Sequence, residues 1–359
     1  MNNRTCLFDK CFFLKMLNFE QLIRPNLRAL LHVPPVDETL LPKAGALRLD
    51  TNANPYDLPF NHDVDRQALS LRRALASLKR TDVSNVFACN SFAGVVDLCC
   101  RCFCVPGEDN VVAAGPTRAV YRQMAQLSGV EYREAALDER FGLSVDEVLG
   151  CCDNHTKLIW LCSPNDPTGN LLDVNAIASL LDVFDGMVVV DETYLRFSKS
   201  PSWCSVLQRF PNLIVLEQMD AAWGINALNV GMLYASSDVV RLMLAVGESY
   251  ALSPVIESKM CGVFSDAFEM DRLVGNVVAE RTRMARALEQ LPFCEQVCPS
   301  FSNFLLVRFR NASAVFEALF SRGIVVCRPA DGLFQKGYLR ITIGSKSANN
   351  ALLSALRQF

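Results

Sequence analysis

The sequence predicts an α/β fold in which a large domain, built on a mostly parallel sheet, is followed by a smaller α+β domain. From about residue 80 to about residue 250, short runs rich in β-forming residues alternate with helical stretches. Several of these runs are apolar on both faces, as strands of a buried sheet are. A long helical stretch after residue 260 changes this rhythm and indicates a second structural unit.

Five runs of the large domain are predicted as strands. They are NVVAAG (110–115), KLIWLC (157–162), MVVVDE (187–192), NLIVLE (212–217) and GMLYAS (231–236). DVNAIASLLDVF (173–184) has apolar residues at helical spacing, and Asp173 is placed to cap the N-terminus of that helix. Strand, helix and strand in this order favour a parallel connection.

The C-terminal part predicts a smaller domain with its own sheet. Its predicted elements are a helix (275–291), NFLLVRFR (303–310), a second helix, GIVVC (323–327), GYLRITIG (337–344) and a last helix. We therefore expect an N-terminal arm over residues 1–45, a large domain over 46–255 and a small domain over 256–359, which part of the arm joins.

The composition argues against several classes of protein. The chain has 359 residues, of which 51% are hydrophobic, and a net charge of −3. This charge gives no electrostatic reason to bind nucleic acid or an anionic membrane. No apolar run is long enough to span a bilayer. Asp9, Lys10 and Lys15 interrupt any signal-peptide core, so we expect a cytoplasmic protein whose translation starts at Met1 or Met16.

The fifteen cysteines suggest either a metal site or buried thiols. CCRCFC (99–104) has a dense set of thiols, but a zinc site needs a second pair of ligands at a suitable spacing. Cys151 and Cys152 are adjacent, which suits one tetrahedral ion poorly. The stretch 95–103 is apolar nearly all round, as a buried helix is. Buried thiols in a reducing compartment are therefore the favoured interpretation.

Polar motifs follow several of the predicted strands. SPNDPTG (163–169), DETY (191–194) and DAAWG (220–224) each stand at a strand end, and CNSFAG (89–94) leads into a helix. Ligands of open α/β sheets bind beyond the carboxyl ends of the strands, and free N–H groups at a helix start favour an anion. The order of these motifs predicts a small-molecule site at this edge of the sheet.

In these motifs the chain resembles the fold-type-I pyridoxal-phosphate (PLP) aminotransferases, and within them the histidinol-phosphate aminotransferases. The segments that carry the resemblance are LRLDTNANPYD (47–57), AGPTRAVYRQMAQLSGVEYREAALDERFGL (114–143), LCSPNDPTGN (161–170), VVVDETYLRFS (188–198), WGINALNVGM (223–232), SNFLLVRF (302–309) and YLRITIG (338–344). The resemblance implies an aspartate-aminotransferase-like fold with a seven-stranded sheet, a homodimer and PLP as cofactor.

The resemblance also implies roles for individual residues. Asp191 matches the aspartate that holds the pyridinium nitrogen, and Tyr194 matches the tyrosine that hydrogen-bonds the phenolic oxygen of PLP. Tyr56 matches a tyrosine that reaches the cofactor phosphate of the partner subunit. Arg340 matches the arginine that binds the substrate carboxylate, and Arg328 is expected near the same cavity.

Three of these residues have simpler structural interpretations. An acid such as Asp191 at a strand end is also typical of a capping or ion-paired residue. Tyr194 is also consistent with a tyrosine of the hydrophobic core, and Arg340 with a surface arginine at a strand end.

The chain departs from the family pattern at the positions that hold the cofactor. Ala221 stands where the family has the lysine that forms the Schiff base, and no lysine occurs between Lys199 and Lys259. The phosphate-binding serine and arginine are replaced by Asp220 and Asn229, while Ser91 remains at the helix start. Asp166 stands where the family has an asparagine before Pro-Thr-Gly. Arg118 stands where the family has the aromatic residue that stacks on the cofactor ring. Phe92, Ala93 and Gly94 stand where the family has acidic residues in the helix that binds the phosphate.

These departures predict no transamination and weak or absent PLP binding, because a Schiff base needs a primary amine. The first hypothesis is a catalytically degenerate family member, either a homodimer with a cavity for an anionic small molecule or a regulatory heterodimer partner of an active paralogue. The second is a histidinol-phosphate:2-oxoglutarate aminotransferase that carries an engineered Lys→Ala substitution. The third is a thiol reaction at Cys89 or Cys162, since a helix start favours a thiolate.

Overall fold

The computed structural model describes residues 18–32, 49, 52, 54, 56, 67–219, 221–264, 266–330 and 332–359. A seven-stranded sheet forms its centre, with the strand order β1-β7-β6-β5-β4-β2-β3. These strands are β1 (Val86–Cys89), β2 (Asn110–Gly115), β3 (Glu131–Ala136), β4 (Thr156–Cys162), β5 (Met187–Asp191), β6 (Leu213–Gln218) and β7 (Gly231–Tyr234). Strands β3, β2, β4, β5 and β6 run parallel, and β7 is antiparallel to both of its neighbours. The predicted α/β fold with a mostly parallel sheet is thus confirmed.

A second, antiparallel sheet lies in the C-terminal part, with the order β10-β9-β8. Its strands are β8 (Cys294–Val297), β9 (Phe304–Phe309) and β10 (Tyr338–Thr342). The α-helices of the described residues are α1 (Phe19–Leu22), α2 (Leu69–Lys79), α3 (Phe92–Phe103), α4 (Ala119–Leu127), α5 (Val145–Gly150), α6 (Val174–Val183), α7 (Ser237–Val246), α8 (Pro254–Phe264), α9 (Ala267–Glu289), α10 (Ala312–Phe320) and α11 (Lys346–Arg357).

Both faces of the large sheet are buried, because alternate residues of each strand point to opposite sides. In β5, Val188 and Val190 pack on one face, while Met187 and Val189 pack on the other. Helix α3 covers the second face with the thiols of the CCRCFC run, which are buried and unbridged as expected. Helix α9 contacts two cores, with Val274 in that of the large sheet and Leu288 in that of the small sheet.

Several predicted elements are confirmed, and others differ. The Asp173 side chain accepts hydrogen bonds from the N–H groups of Asn175 and Ala176, as a cap does. The long C-terminal helix begins at Ala267, earlier than the predicted residue 275. The predicted strand at 323–327 is wrong, since only an isolated bridge joins Cys327 to Arg340 there.

The domain boundaries stay a prediction, and most of the N-terminal arm, with both candidate start residues, lies outside the described residues. Within its described part, Ile23 is buried against the core that α3 covers. Among the described helices, none is both long and apolar enough to cross a bilayer.

Candidate active site

Polar side chains from five elements meet at the carboxyl edge of the large sheet. Asp191 ends β5, and Gln218 ends β6. Arg118 follows β2 at the N-terminus of α4, and Asp166 lies in the turn after β4. Arg340, on β10 of the small sheet, completes the group by pairing with Asp166. The sequence-based expectation that strand-end residues come together is met at these positions.

Asp191 is the centre of the buried part of this site. One carboxylate oxygen, Oδ2, accepts hydrogen bonds from Arg118 Nη1 at 2.7 Å and from Tyr121 Oη at 2.5 Å. The other oxygen, Oδ1, accepts from the backbone N–H of Thr193 at 2.9 Å and from its hydroxyl at 2.6 Å. Four donors therefore satisfy the carboxylate from within the chain. These contacts match the alternative interpretation of Asp191 as an ion-paired acid.

The Arg118 guanidinium is held on three sides. Besides Asp191, its Nη2 donates to Gln218 Oε1 at 3.0 Å, and its central carbon lies 4.1 Å from the centre of the Phe92 ring. Burial alone would lower the pKa of Arg118, but the negative charge of Asp191 and other acidic neighbours raise it above its ordinary value. The side chain is therefore a permanent cation, stabilised by the carboxylate and the ring face.

The start of α3 carries Phe92 close to this cation. Gly231 of β7 lies so near that a Cβ atom there would stand 2.5 Å from the carbonyl oxygen of Ser91 and 2.8 Å from the Cα of Phe92. Ser91 is the N-cap of α3, and its hydroxyl accepts a hydrogen bond from Gly94 N at 3.1 Å. Gly94 in turn leaves room for the ring of Tyr250, which a Cβ atom would approach to 2.9 Å. Gly231 thus lets β7 approach the start of α3, and Gly94 lets the Tyr250 ring pack against it.

Asp166 forms the second ionic centre of the site. Its Oδ2 accepts a hydrogen bond from Tyr194 Oη at 2.8 Å, and its Oδ1 accepts from Arg340 Nη1. The Phe304 ring supports both donors, since its centre lies 5.3 Å from the Tyr194 ring and 5.2 Å from the Arg340 guanidinium carbon. Burial and the charge of Asp166 raise the pKa of Tyr194 well above its usual value, so its hydroxyl remains a donor.

Other predicted residues with described positions are Arg328, Asn229 and Tyr56. The Arg328 guanidinium is placed over the rings of Phe316 and Phe334. Asn229 is exposed and adopts a left-handed backbone conformation with φ of 47°, which asparagine tolerates better than most residues. Tyr56 is 74% exposed, and its contact with a partner subunit stays a prediction.

The loop that contains Ala221 and Trp223 is anchored to the protein by the buried Trp223 side chain. Trp223 is buried between two side chains. The Phe264 ring makes an edge-to-face contact with it at a centroid distance of 5.1 Å, and the guanidinium carbon of Arg196 lies 3.9 Å from the centre of the Trp223 ring. Ala221 is half-buried and packs against the core of the large sheet. Asp220 lies outside the described residues.

The expectation of an activated thiolate is wrong. Burial raises the pKa of Cys89 to about 12, and it raises that of Cys162 well above the usual value, with Asp191 as the next cause. The Cys89 thiol donates to the carbonyl of Ser91, and the Cys162 thiol donates to that of Pro164. Both thiols are therefore neutral packing groups, because burial disfavours the charged thiolate.

Sequence reasoning missed the residues that partner the predicted ones. Tyr121 stands one helical turn after Arg118, so both side chains point to the same side and reach Asp191. Thr193 follows Asp191 by two residues, a spacing typical of an Asx turn. Gln218 ends the strand next to β5. These spacings identify the partners of Asp191 only once the order of the strands in the sheet is known.

A buried carboxyl lies next to Asp191. Glu192 accepts hydrogen bonds from Ser202 Oγ at 2.5 Å and from the backbone N–H of Trp203 at 2.6 Å. Burial raises the pKa of Glu192 from 4.5 to about 7, although Lys79 acts in the opposite direction. Lys79 itself pairs with Glu217 at 2.8 Å. Glu192 therefore titrates close to neutral pH in the folded protein.

We expect Glu192→Gln to stabilise the protein relative to wild type as the pH rises from about 5 to about 8. A folded-state pKa above the unfolded value means that Glu192 loses its proton first in the unfolded chain, so the wild type loses stability between pH 4.5 and about 7. The difference in unfolding free energy between the two proteins should grow by about 2–4 kcal/mol over that interval. Urea unfolding at several pH values measures it. Glu295→Gln, which alters a surface partner of Arg308, is the control for removing a carboxylate away from this buried group.

Comparison with known proteins identifies the family. The model of the aminotransferase class I and II family matches residues 60–356. A histidinol-phosphate aminotransferase of Parabacteroides distasonis is 37% identical over 342 residues, which cover 95% of this chain and 99% of that protein.

Solved structures agree on the fold. The histidinol-phosphate aminotransferase of Clostridium acetobutylicum aligns with a TM-score of 0.76 at 17% identity, over 83% of this chain and 90% of that one. That of Sinorhizobium meliloti, in complex with pyridoxal-5'-phosphate, has the same TM-score and identity, over 83% of this chain and 82% of that one. Because the family model spans most of the sequence and the P. distasonis relative matches nearly its whole length, the chain belongs to the class I and II aminotransferases.

Proposed function

We propose that this chain is a catalytically degenerate member of its family, which keeps the scaffold but does not transfer amino groups. The observation that carries the proposal is the ion pair between Arg118 and Asp191, buried against the Phe92 ring. The family resemblance assigns Asp191 to the ring nitrogen of the cofactor, and here a cation of the chain itself already neutralises that carboxylate. Such a site has no need of a pyridinium ion as partner.

The residues at the site do not fit PLP. Arg118 has a side chain that is 15% exposed, and it lies between Asp191 and Phe92, where a ring would have to enter. Displacing it would separate a buried ion pair, which is strongly unfavourable. Ala221 ends in a methyl group, and without a primary amine at this position no Schiff base forms.

The phosphate of PLP would also be held weakly. The sequence has Asn229 where the family has an arginine, and Asp220 places a carboxylate in the same loop. The N-terminus of α3 offers an anion only about 0.3–2 kcal/mol. This is small beside the repulsion between like charges that are partly removed from water, which reaches several kcal/mol. We therefore propose that PLP binds weakly or not at all.

A second candidate function is the activity of the P. distasonis relative, histidinol-phosphate aminotransfer, with 2-oxoglutarate as the partner substrate. The 37% identity favours it. It requires that Ala221 replaces a lysine through a single engineered change. That change does not account for the ion pair of Arg118 with Asp191 or for that of Asp166 with Arg340. The hypothesis of a catalytically degenerate protein therefore explains more of the site.

The proposal is tested by adding PLP to the purified protein, recording the visible spectrum and assaying amino transfer from glutamate. We expect a spectrum equal to the sum of protein and free PLP, and no turnover. The P. distasonis relative, prepared in the same way, is the positive control for the assay. Turnover of glutamate would overturn the proposal, and a bound-cofactor absorption band alone would contradict its claim that PLP binds weakly or not at all.

A catalytically degenerate copy of the enzyme could act as a regulatory subunit, and we propose that this chain forms a heterodimer with an active paralogue. Tyr56 is exposed, as a residue that contacts a partner subunit in the family would be in an isolated chain. Purification from the native cells, with mass spectrometry of what accompanies this chain, tests this role. Recovery of this chain only as homodimers would exclude the heterodimer.

A further inference from the structure

The Asp166–Arg340 ion pair joins the two sheets of the protein. Asp166 lies in the turn after β4 of the large sheet, whereas Arg340 lies on β10 of the small sheet. The pair is partly buried, with 13% of the Asp166 side chain and 27% of the Arg340 side chain exposed. Burial would lower the pKa of Arg340, but Asp166 raises it above its ordinary value, so the arginine stays charged.

The Arg340 guanidinium is only partly satisfied by this pairing. Its Nη1 donates to Asp166, while its Nε is buried and has no hydrogen-bond partner within the described part of the chain. A guanidinium offers a planar fork of donors that matches the two oxygens of a carboxylate. A partly buried arginine with a buried, unpartnered donor thus has the chemistry to bind a carboxylate.

We propose that Asp166 is an internal carboxylate ligand of Arg340, which excludes small external carboxylates from this arginine and ties the small sheet to the large one. A second carboxylate at Arg340 would stand within a few ångströms of Asp166, and like charges that close disfavour each other. Tyr194 holds Asp166 in place from the other side. The proposal deepens the proposed function and rests on it in one respect, namely that the site holds no cofactor when the external ligand arrives.

Asp166→Asn tests the proposal, because asparagine can still accept the Tyr194 hydrogen bond but carries no charge. The probe is succinate, measured by isothermal titration calorimetry on the full-length protein without added PLP. We expect the variant to bind succinate at least about tenfold more tightly than the wild type. The double variant Asp166→Asn/Arg340→Gln should lose the gain. Succinamide, which has no charge, should bind the wild type and the single variant equally.

Two further variants keep the test decisive. Asp238→Asn also releases an arginine from an ion pair, the exposed pair with Arg241, and should leave succinate binding unchanged. Asp166→Ser removes the same carboxylate with a smaller side chain and replaces the asparagine variant if that one does not fold. Equal succinate affinity in the wild type and the folded Asp166 variants would overturn the inference. PLP bound in the visible spectrum of the wild type would instead contradict the proposed function.

Discussion

Replacing Arg118 with methionine should lower the free energy of unfolding by about 3 kcal/mol. The substitution keeps most of the apolar stem but removes the charge that pairs with Asp191, which is only 1% exposed. Removing one partner of a buried ion pair costs roughly 3–5 kcal/mol, because the other charge stays buried without compensation. We expect the lower end of this range of unfolding free energies, because Tyr121 and Thr193 continue to donate hydrogen bonds to the Asp191 carboxylate. Urea unfolding monitored by circular dichroism measures the change.

Two control variants separate the loss of the pair from a loss of packing. The double variant Arg118→Met/Asp191→Asn leaves no uncompensated charge, so it should unfold within about 1 kcal/mol of the wild type. Arg241→Met removes an arginine from an exposed pair with Asp238 and should change stability by less than about 1 kcal/mol. A double variant that is as unstable as Arg118→Met would show that packing, not charge, is what Arg118 supplies.

The centre of the fold was predictable because its strands are apolar on both faces. Strands β4 and β5 are buried at nearly every position, so their sequences are continuous runs of aliphatic residues. The edge strand β3 was missed, because most of its residues, including Glu131 and Arg133, are polar and at least partly exposed. The opposite error arose at 323–327, where the apolar sequence looks like a strand although Val325 is 75% exposed.

The candidate site was predictable in position but not in its internal pairing. The strand-end argument placed Asp191 at the carboxyl edge of the large sheet, where it lies, and the family resemblance singled out Arg340, which pairs with Asp166 from the small sheet. The partner that each would find was not predictable, because the direction of a long arginine side chain depends on tertiary neighbours. Arg118 was recognised as a departure from the family pattern, yet its contact with Asp191 spans 73 positions of sequence. Such pairings follow from the sheet order, which only the structure supplies.

Introducing a primary amine with Ala221→Lys should not produce amino transfer from glutamate. A lysine supplies the nucleophile that a Schiff base needs. It leaves Arg118 paired with Asp191 and Asp166 paired with Arg340, so neither the ring nor a substrate carboxylate gains a partner. We expect no turnover above that of the parent chain, and no visible absorption from lysine-bound PLP. Both are measured on purified protein with PLP in excess and with thermal unfolding as the check on folding.

The same variant decides between the two functional hypotheses, because they assign the defect to different residues. If a single engineered change had disabled an ordinary aminotransferase, one lysine would repair it, and Ala221→Lys would turn over glutamate at a rate comparable to that of the P. distasonis relative. If the site has been rebuilt around its own ion pairs, cofactor binding should return only when the charges are also changed. Ala221→Lys/Arg118→Tyr therefore tests the second case, since it supplies an amine and at the same time frees Asp191 for a ring nitrogen. We expect this double variant to bind PLP more strongly than either single variant. Recovery of amino transfer by Ala221→Lys alone would contradict the hypothesis that the protein is catalytically degenerate.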